Sequence, residues 1–293
     1  MGTLLALLLL QDPVDAAVRK GLEFVKTSGT GELALWTLVA CDVPDNDPGL
    51  RGLFGGLGTP ESTTSAALQA MILEDLDRLK YRDRIAHCAQ LLIDAQCRDG
   101  RWDVGRPVKP PDLPAAPLPL PRNKGEKPLV RQKIKLTSRE AGGEKGDAEP
   151  TRWALWGLLA GYHAGLVPPA EVVEKAAAAW RQGVHDPADL ITGLSICLYL
   201  SNRDWKKDPD VLKSLERLAA EKRTAPGELY VLERAMMHFN SETLGGGPWY
   251  PRVTKTLLDA QKPDGSWGGL EETCYATLTL YKRRRVFQEP LRK

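Results

Sequence analysis

The segment Glu233-Arg234-Ala235-Met236-Met237-His238 places three side chains that carry charge or transfer protons within two turns of one predicted helix. Arg234 and His238 are four residues apart and therefore share a helical face, with Glu233 one residue off that face. If the face looks into a cavity, these side chains form a polar floor suited to binding or acid–base chemistry. The interpretation that the sequence favours is a buried ion pair to a neighbouring helix.

Aromatic side chains recur on the apolar helices and could line a cavity for a hydrophobic ligand. For any single one of them, a place in the packed core is the favoured interpretation, because aromatic residues at helical spacing are typical of cores. The candidate ligand-binding residues are Trp36, Tyr162, Tyr230 and Tyr275, within a wider set that includes Trp153, Trp156 and Tyr199.

Other common sources of chemistry are missing. The sequence shows no Ser-His-Asp arrangement and no Gly-rich phosphate loop. Its five cysteines have no close pairs, which excludes a zinc ribbon and a C-x-x-C redox site and suggests small buried side chains. The chain has 40 Lys+Arg against 38 Asp+Glu, a net charge of +2. Such a balance argues against a nucleic-acid partner, and the composition argues against a transmembrane segment.

Strand signals are nearly absent, and helical blocks alternate with Gly, Pro and Asp punctuation. We predict twelve helices, which form six pairs. Their predicted bounds are 14–27, 31–41, 47–57, 62–77, 82–95, 151–165, 169–182, 188–200, 209–221, 226–240, 249–261 and 271–284.

The two members of each predicted pair differ in character. One set is amphipathic, as in residues 81–95 and 171–181, whereas the other is apolar on most sides, as in 33–38, 191–200 and 275–280. A helix without a wide polar face is surrounded by protein. The pattern therefore predicts an outer ring of amphipathic helices around an inner ring of apolar ones.

Three segments lie outside this pattern. Residues 104–149 carry eight prolines and many Lys and Arg, and we expect a disordered insertion. Residues 1–12 resemble a short secretory signal, so export to the periplasm or cell envelope is favoured over the cytoplasm. A single domain is expected over 13–285, followed by a tail at 286–293.

One motif occurs twice with the same internal spacing. The pattern A-Q-x-x-D-G-x-W spans 95–102 and again 260–267. We expect the glutamine amide to bond one carbonyl and one N–H at a helix end, and the glycine to take a positive φ. The indole should fold back over the glutamine and donate a hydrogen bond to the helix end. We therefore expect these residues to have a structural role, which is to brace the junction.

These turns resemble the QW repeats of squalene and oxidosqualene cyclases and of the related β subunits of protein prenyltransferases. The nearest resemblance is to small bacterial prenyltransferase and squalene oxidase repeat proteins, and it covers nearly the whole chain. The implied fold is an all-α α6/α6 toroid, in agreement with the six pairs. Residues 183–187 depart from the pattern because they contain no Asp-Gly-x-Trp turn, and we expect this junction to have lost its brace.

The family's acidic motifs are absent. Class II terpene cyclases protonate their substrate with the central acid of a D-x-D-D motif, held protonated by its surroundings. The chain has no Asp-Asp dipeptide, so neither D-x-D-D nor the metal-binding D-D-x-x-D exists. The nearest acidic cluster, Asp42, Asp45 and Asp47, is typical of turns and helix caps.

Protein prenyltransferases bind zinc through an Asp-x-Cys-Tyr segment and a later histidine, and Glu272-Thr273-Cys274-Tyr275 is similar to that segment. No histidine follows Cys274, and two ligands do not hold a catalytic zinc, so we expect no cofactor. In the alternative, His238 completes a zinc site with Glu272 and Cys274. The same stretch also fits the start of an inner helix, with Thr273 as cap and Cys274 as filler.

The sequence therefore predicts a protein of unassigned activity that binds a hydrophobic or isoprenoid ligand, or a protein partner. The alternative is a terpenoid cyclase or prenyltransferase-type enzyme acting on an isoprenoid substrate in the central cavity. Its candidate catalytic residues are Glu233, His238, Glu272 and Cys274.

Overall fold

The computed structural model describes residues 12–105, 130, 133–139, 142–183 and 185–281, and these are predominantly helical. Two short pairs of strands accompany the helices: β1 (Ile134–Lys135) is parallel to β2 (Leu166–Val167), and β3 (Thr243–Leu244) is antiparallel to β4 (Gly247–Pro248). The helices are α1 (Pro13–Ser28), α2 (Gly31–Ala40), α3 (Pro48–Gly55), α4 (Thr63–Asp77), α5 (Arg82–Asp94), α6 (Ala148–His163), α7 (Ala170–Arg181), α8 (Pro187–Leu200), α9 (Pro209–Ala220), α10 (Pro226–Phe239), α11 (Trp249–Ala260) and α12 (Leu270–Tyr281).

All twelve predicted helices are confirmed, and no bound differs by more than three residues. Local chemistry explains this agreement at four helix starts, where an Asp-Pro dipeptide recurs. The aspartate accepts hydrogen bonds from backbone N–H groups of the first turn, and proline at the first helical position has the φ that a helix needs. The capping aspartates are Asp12, Asp47, Asp186 and Asp208.

The even-numbered helices α2, α4, α6, α8, α10 and α12 pack on one another in that order, and α12 returns to contact α2. They therefore form a closed circuit, and we call them the inner helices. Most are buried on nearly every side; in α8, every residue from Pro187 to Tyr199 is buried. The odd-numbered helices pack against this circuit and mostly bury one face, so we call them the outer helices.

The inner helices run parallel, because contacts join starts to starts and ends to ends. The circuit thus has one end where the inner helices begin and another where they end. At the starts the pairs are Glu32 with Ser65, Arg152 with Asp189, and Tyr230 with Tyr275; at the ends they are Tyr162 with Tyr199, and Asp42 with Tyr281.

The first A-Q-x-x-D-G-x-W turn joins α5 to the segment that leads into α6. Gly100 has a φ of 86°, and the Trp102 indole N–H donates to the Leu92 carbonyl at 2.6 Å, which confirms both expectations. The Gln96 amide differs from the prediction because it donates to two carbonyls, Gly100 at 3.0 Å and Val172 at 2.8 Å. Val172 belongs to α7, so the glutamine also fastens two neighbouring outer helices together.

The second turn repeats this arrangement between α11 and α12. Gly265 has a φ of 89°, and the Trp267 indole donates to the Leu257 carbonyl at 2.7 Å. The Gln261 amide donates to the carbonyls of Gly265 and Ala17, each at 3.0 Å. Since Ala17 lies in α1, this turn connects the last outer helix to the first.

The junction between α7 and α8 lacks the motif, as predicted, but other groups support it. The His185 ring Nε2 lies 2.6 Å from the Gln182 carbonyl at the end of α7, and the ring packs edge-on against Trp180. Arg181 forms an ion pair with Asp208 at the start of α9, 2.5 Å away. The expected Asp-Gly-x-Trp brace is therefore absent from this junction, where His185 contacts the end of α7 and the Arg181–Asp208 ion pair connects α7 to α9.

The insertion at 104–149 begins directly after the first A-Q-x-x-D-G-x-W turn. The Trp102 backbone N–H donates to the Thr151 hydroxyl, 49 positions along the chain, whereas Trp267 makes the same bond to Thr273 after only six. The insertion thus separates two partners that the second turn keeps close together.

Part of the insertion packs against this turn. The Gly142 N–H donates to the Gln96 carbonyl and the Asp147 N–H to the Trp102 carbonyl, each at 2.9 Å, and β1 pairs with β2. The prediction of disorder across 104–149 is therefore wrong for its described parts, because backbone hydrogen bonds hold them to the helices. Residues 106–129 lie outside the described residues, as do most of the predicted signal-like segment 1–12 and the tail 286–293.

Candidate functional site

Four aromatic side chains, one from each of four inner helices, meet near the starts of these helices. The Tyr230 ring stacks on Tyr275 with centroids 5.2 Å apart and contacts Trp156 edge-on at 5.7 Å. The Trp36 side chain lies beside the Tyr230 hydroxyl. Because α2, α6 and α10 alternate around the circuit, these side chains reach across its centre. We call Trp36, Trp156, Tyr230 and Tyr275 the aromatic layer.

A cation and two hydrogen-bond donors accompany this layer. Arg152 lies over the Trp156 ring, 5.6 Å from its centroid, and forms an ion pair with Asp189. Within the described residues, the buried Nε1 of Trp156 and the buried Nε of Arg152 have no hydrogen-bond partner. A buried donor without an acceptor costs about 1–3 kcal/mol, so these groups suit a ligand that supplies an oxygen.

A second set of polar side chains follows along α10 towards the other end of the circuit. Arg234 donates to both carboxylate oxygens of Glu233, at 2.5 and 2.7 Å, and lies over the Tyr230 ring at 5.7 Å. His238 lies one further turn along, within the electrostatic reach of His163 on α6. We call Glu233, Arg234, His163 and His238 the polar layer.

The predicted ion pair exists, but its geometry differs from the expectation. Glu233 forms an ion pair with its sequence neighbour Arg234 on the same helix. Arg234 has a long side chain that bends back along α10. It reaches the Glu233 carboxylate, which is 0% exposed and therefore has no access to water. Arg234 and His238 do share a face, as predicted.

Several side chains in the two layers are partly exposed. The side chain of Arg152 is 11% exposed and that of Arg234 is 15% exposed, although both belong to inner helices whose other residues are largely buried. His163 and His238, further along the same faces, are also only partly buried. The spacing of Tyr230, Arg234 and His238 matches one helical stripe. Solvent therefore reaches part of the polar stripe on α10 and of the facing side chains on α6.

Burial, with the charges of Arg234 and His163 as smaller causes, lowers the pKa of His238 to about 3. Its imidazole is thus neutral at physiological pH. Burial acts against the charge of Arg234 as well, but the adjacent Glu233 carboxylate outweighs it and raises the pKa of the guanidinium. The polar layer therefore carries one balanced ion pair and a neutral His238.

The pKa of His238 predicts acid sensitivity. The unfolded chain takes up a proton near pH 6.5, whereas folded His238 does so only near pH 3, so stability falls as the pH drops between these values. In this range the free energy of unfolding changes by at most about 1.4 kcal/mol per pH unit because of His238. We expect His238→Gln to show a shallower loss of unfolding free energy between pH 6.5 and pH 5, measured by urea denaturation. Equal slopes for the two proteins would contradict this assignment.

The remaining predicted site residues lie apart from these layers. Tyr162 packs against Tyr199 at the other end of the circuit. The Glu272 carboxylate accepts a hydrogen bond from the Gly269 N–H, 3.1 Å away, at the start of α12. Cys274 is buried beside Thr37, and burial raises the pKa of its thiol to about 11.

The two positions proposed as zinc ligands on α12 therefore have structural contacts. In the described part of the chain, no group of three or more His, Cys, Asp or Glu side chains is arranged to hold a metal ion. The cap prediction is confirmed in part: the Thr273 hydroxyl accepts from the Trp267 N–H and donates to the Gly269 carbonyl, 2.8 Å away.

Of the candidate ligand-binding residues, the structure brings together Trp36, Tyr230 and Tyr275 and leaves Tyr162 apart. Sequence reasoning missed Arg152. The available signal was the four-residue spacing of Arg152 and Trp156, which places the cation and the ring on one face of α6.

None of the helices in the described residues combines the length and the apolar character needed to cross a membrane. The chain was also compared with models of protein families, with curated proteins and with solved structures. None of the three comparisons finds a match.

Proposed function

We propose that this protein is an α6/α6 toroid that binds a hydrophobic ligand carrying an oxygen acceptor at the centre of its inner ring. The closed circuit of six parallel inner helices and the six outer helices support the toroid. The ligand would lie on the aromatic layer, with its oxygen near Arg152 and the Trp156 indole.

The observation that carries this proposal is the buried Nε1 of Trp156, which has no hydrogen-bond partner in the described part of the chain. An acceptor that reached this donor would recover the free energy lost on burying it. The surrounding rings supply apolar surface, and the exposed fraction of Arg152 shows that solvent reaches the neighbourhood. Few polar groups on an apolar wall are typical of ligand sites.

The test compares the isoprenoid alcohol farnesol with its hydrocarbon counterpart farnesene, titrated against the protein and followed by tryptophan fluorescence. We expect farnesol to bind more tightly because only the alcohol has an oxygen. Trp156→Phe keeps an aromatic ring but removes the N–H, and should weaken farnesol binding about fivefold, the effect of one hydrogen bond of ~1 kcal/mol.

Farnesene binding serves as the control, because a hydrocarbon makes no bond to the indole and its affinity should not change in Trp156→Phe. If Trp156→Phe binds farnesol as well as the original protein does, or if farnesol and farnesene bind equally, the proposed role of this donor is wrong.

A terpenoid cyclase or prenyltransferase-type activity is the second candidate. The observation that favours it is the fully buried Glu233 carboxylate close to the aromatic layer; its ion pair with Arg234 keeps it ionised, so its role would be to stabilise positive charge that develops on an apolar substrate, not to donate a proton. Incubation with squalene or farnesyl diphosphate, followed by gas chromatography–mass spectrometry, tests it. Products that disappear in a folded Glu233→Gln variant would support this activity.

A further inference from the structure

A groove on the outside of the helices lies between α9 and α11. It encloses about 270 Å³, and its floor is formed by α10. We call it the outer groove. Its lining residues are Ala219, Ala220, Glu221, Lys222, Arg223, Thr224, Leu229, Leu232, Arg252, Val253 and Thr256.

Other neighbouring outer helices are fastened to each other by specific side chains. Gln96 connects α5 to α7, Arg181 connects α7 to α9, and Gln261 connects α11 to α1. Between α9 and α11 the walls stand apart, and the space between them remains open to solvent.

The floor of the outer groove is apolar. Leu229, Leu232 and Val253 are each about 2% exposed as residues, so their side chains are held in fixed positions by the surrounding helices. These side chains shape the floor, but because they are already buried, the apolar surface that a ligand could cover in the outer groove is small.

The rim of the outer groove is basic. Three lining side chains are positive, namely Lys222, Arg223 and Arg252, whereas only Glu221 is negative. Lys222 and Arg252 are exposed, and neither forms an ion pair within the described residues. Their charges are therefore available to an anion.

Arg223 is held in a fixed position at this rim. Its Nη2 donates to Asp186 at 2.5 Å and to Glu221 at 2.6 Å, and only 6% of its side chain is exposed. Both bonds use the same nitrogen, and the buried Nε has no partner in the part of the chain that the structure describes. Two carboxylates thus fix and neutralise this guanidinium, so the basic character of the rim comes from Lys222 and Arg252.

We propose that the outer groove binds a small organic anion. Its carboxylate or phosphate head would contact Lys222 and Arg252 beside the fixed Arg223, and its small apolar body would rest on the floor that Leu229, Leu232 and Val253 shape. This site is separate from the central one, and its ligand is defined mainly by its negative charge.

Isothermal titration calorimetry with three probes of similar size tests the proposal: phenylacetate, phenyl phosphate and the neutral 2-phenylacetamide. We expect the anions to bind and the amide to bind at least about tenfold more weakly, since each charge-assisted bond contributes ~1.5–3 kcal/mol. The tighter of the two anions identifies the head group.

The double variant Lys222→Gln, Arg252→Gln should lose about tenfold or more in anion affinity and should fold, because both side chains are exposed. Lys255→Gln is the matched control; it removes a cation from α11 that pairs with Asp259, 2.6 Å away and not among the lining residues. Trp156→Phe should also leave anion binding unchanged, which separates this site from the centre.

The proposal is overturned if neither anion binds, if 2-phenylacetamide binds as tightly as phenylacetate, or if the double variant keeps the original affinity. Equal losses in the double variant and in Lys255→Gln would also overturn it, because they would reflect net charge and not this groove.

Discussion

Glu233→Gln should lower the free energy of unfolding by about 3 kcal/mol. The carboxylate is fully buried and neutralises Arg234 through two hydrogen bonds, so an amide in its place leaves a guanidinium uncompensated inside the protein. Removing one partner of a buried ion pair typically costs 3–5 kcal/mol. We expect the lower end of that range because solvent reaches 15% of the Arg234 side chain. Urea denaturation at neutral pH measures the change.

The matched control is the double variant Glu233→Gln, Arg234→Met, which has no unpaired charge. It should recover at least about 1 kcal/mol of the loss, because the effects of substitutions at two contacting residues on the free energy of unfolding are not additive. A double variant less stable than Glu233→Gln alone would show that the ion pair is not what stabilises this part of α10.

Trp102→Ala should destabilise the protein by about 3–5 kcal/mol, as is usual for a buried tryptophan replaced by alanine. The side chain is 0% exposed, and its indole N–H donates to the Leu92 carbonyl at 2.6 Å. The change therefore leaves a cavity and an unpaired carbonyl at the end of α5. The loss can be measured by urea denaturation at neutral pH.

Trp102→Phe separates the two contributions, since it fills most of the space but cannot donate the hydrogen bond. Its loss should be about 1–2 kcal/mol. A loss below about 1 kcal/mol for Trp102→Ala would mean that the turn does not brace the junction.

The helices were predictable because local residues determine them. Asp47-Pro48 and Asp208-Pro209 start their helices through bonds to the next few backbone groups, and the apolar periodicity extends over a few turns. The φ of Gly100 follows in the same way from the Asp-Gly turn. None of these features depends on how distant helices are arranged.

The second bond of Gln96 was not predictable in this way. Its acceptor, Val172, lies 76 positions along the chain, and nothing near Gln96 marks it. Trp156 and Tyr230 likewise belong to helices that meet only once the circuit closes. Rotation of each helix about its axis decides which aromatic residues face the centre, which is why Tyr162 lies elsewhere.

The outer groove was also outside the reach of sequence reasoning. Lys222 and Arg252 look like ordinary solvated charges, and the floor residue Leu229 looks like ordinary core. Only the separation of α9 from α11 turns them into one concave surface, and that separation depends on packing along the whole circuit.

The bond between Gln261 and the Ala17 carbonyl spans 244 positions and determines when folding can finish. Gly21 of α1 packs so closely on α12 that an added Cβ would lie 2.4 Å from the Thr277 hydroxyl oxygen. During synthesis, at about 5–20 residues per second, α1 can pack on α2 and α3 early but must wait for α12 to complete its native contacts. A nascent chain of this kind keeps the part of α1 that packs on α12 uncovered until α12 has left the ribosome.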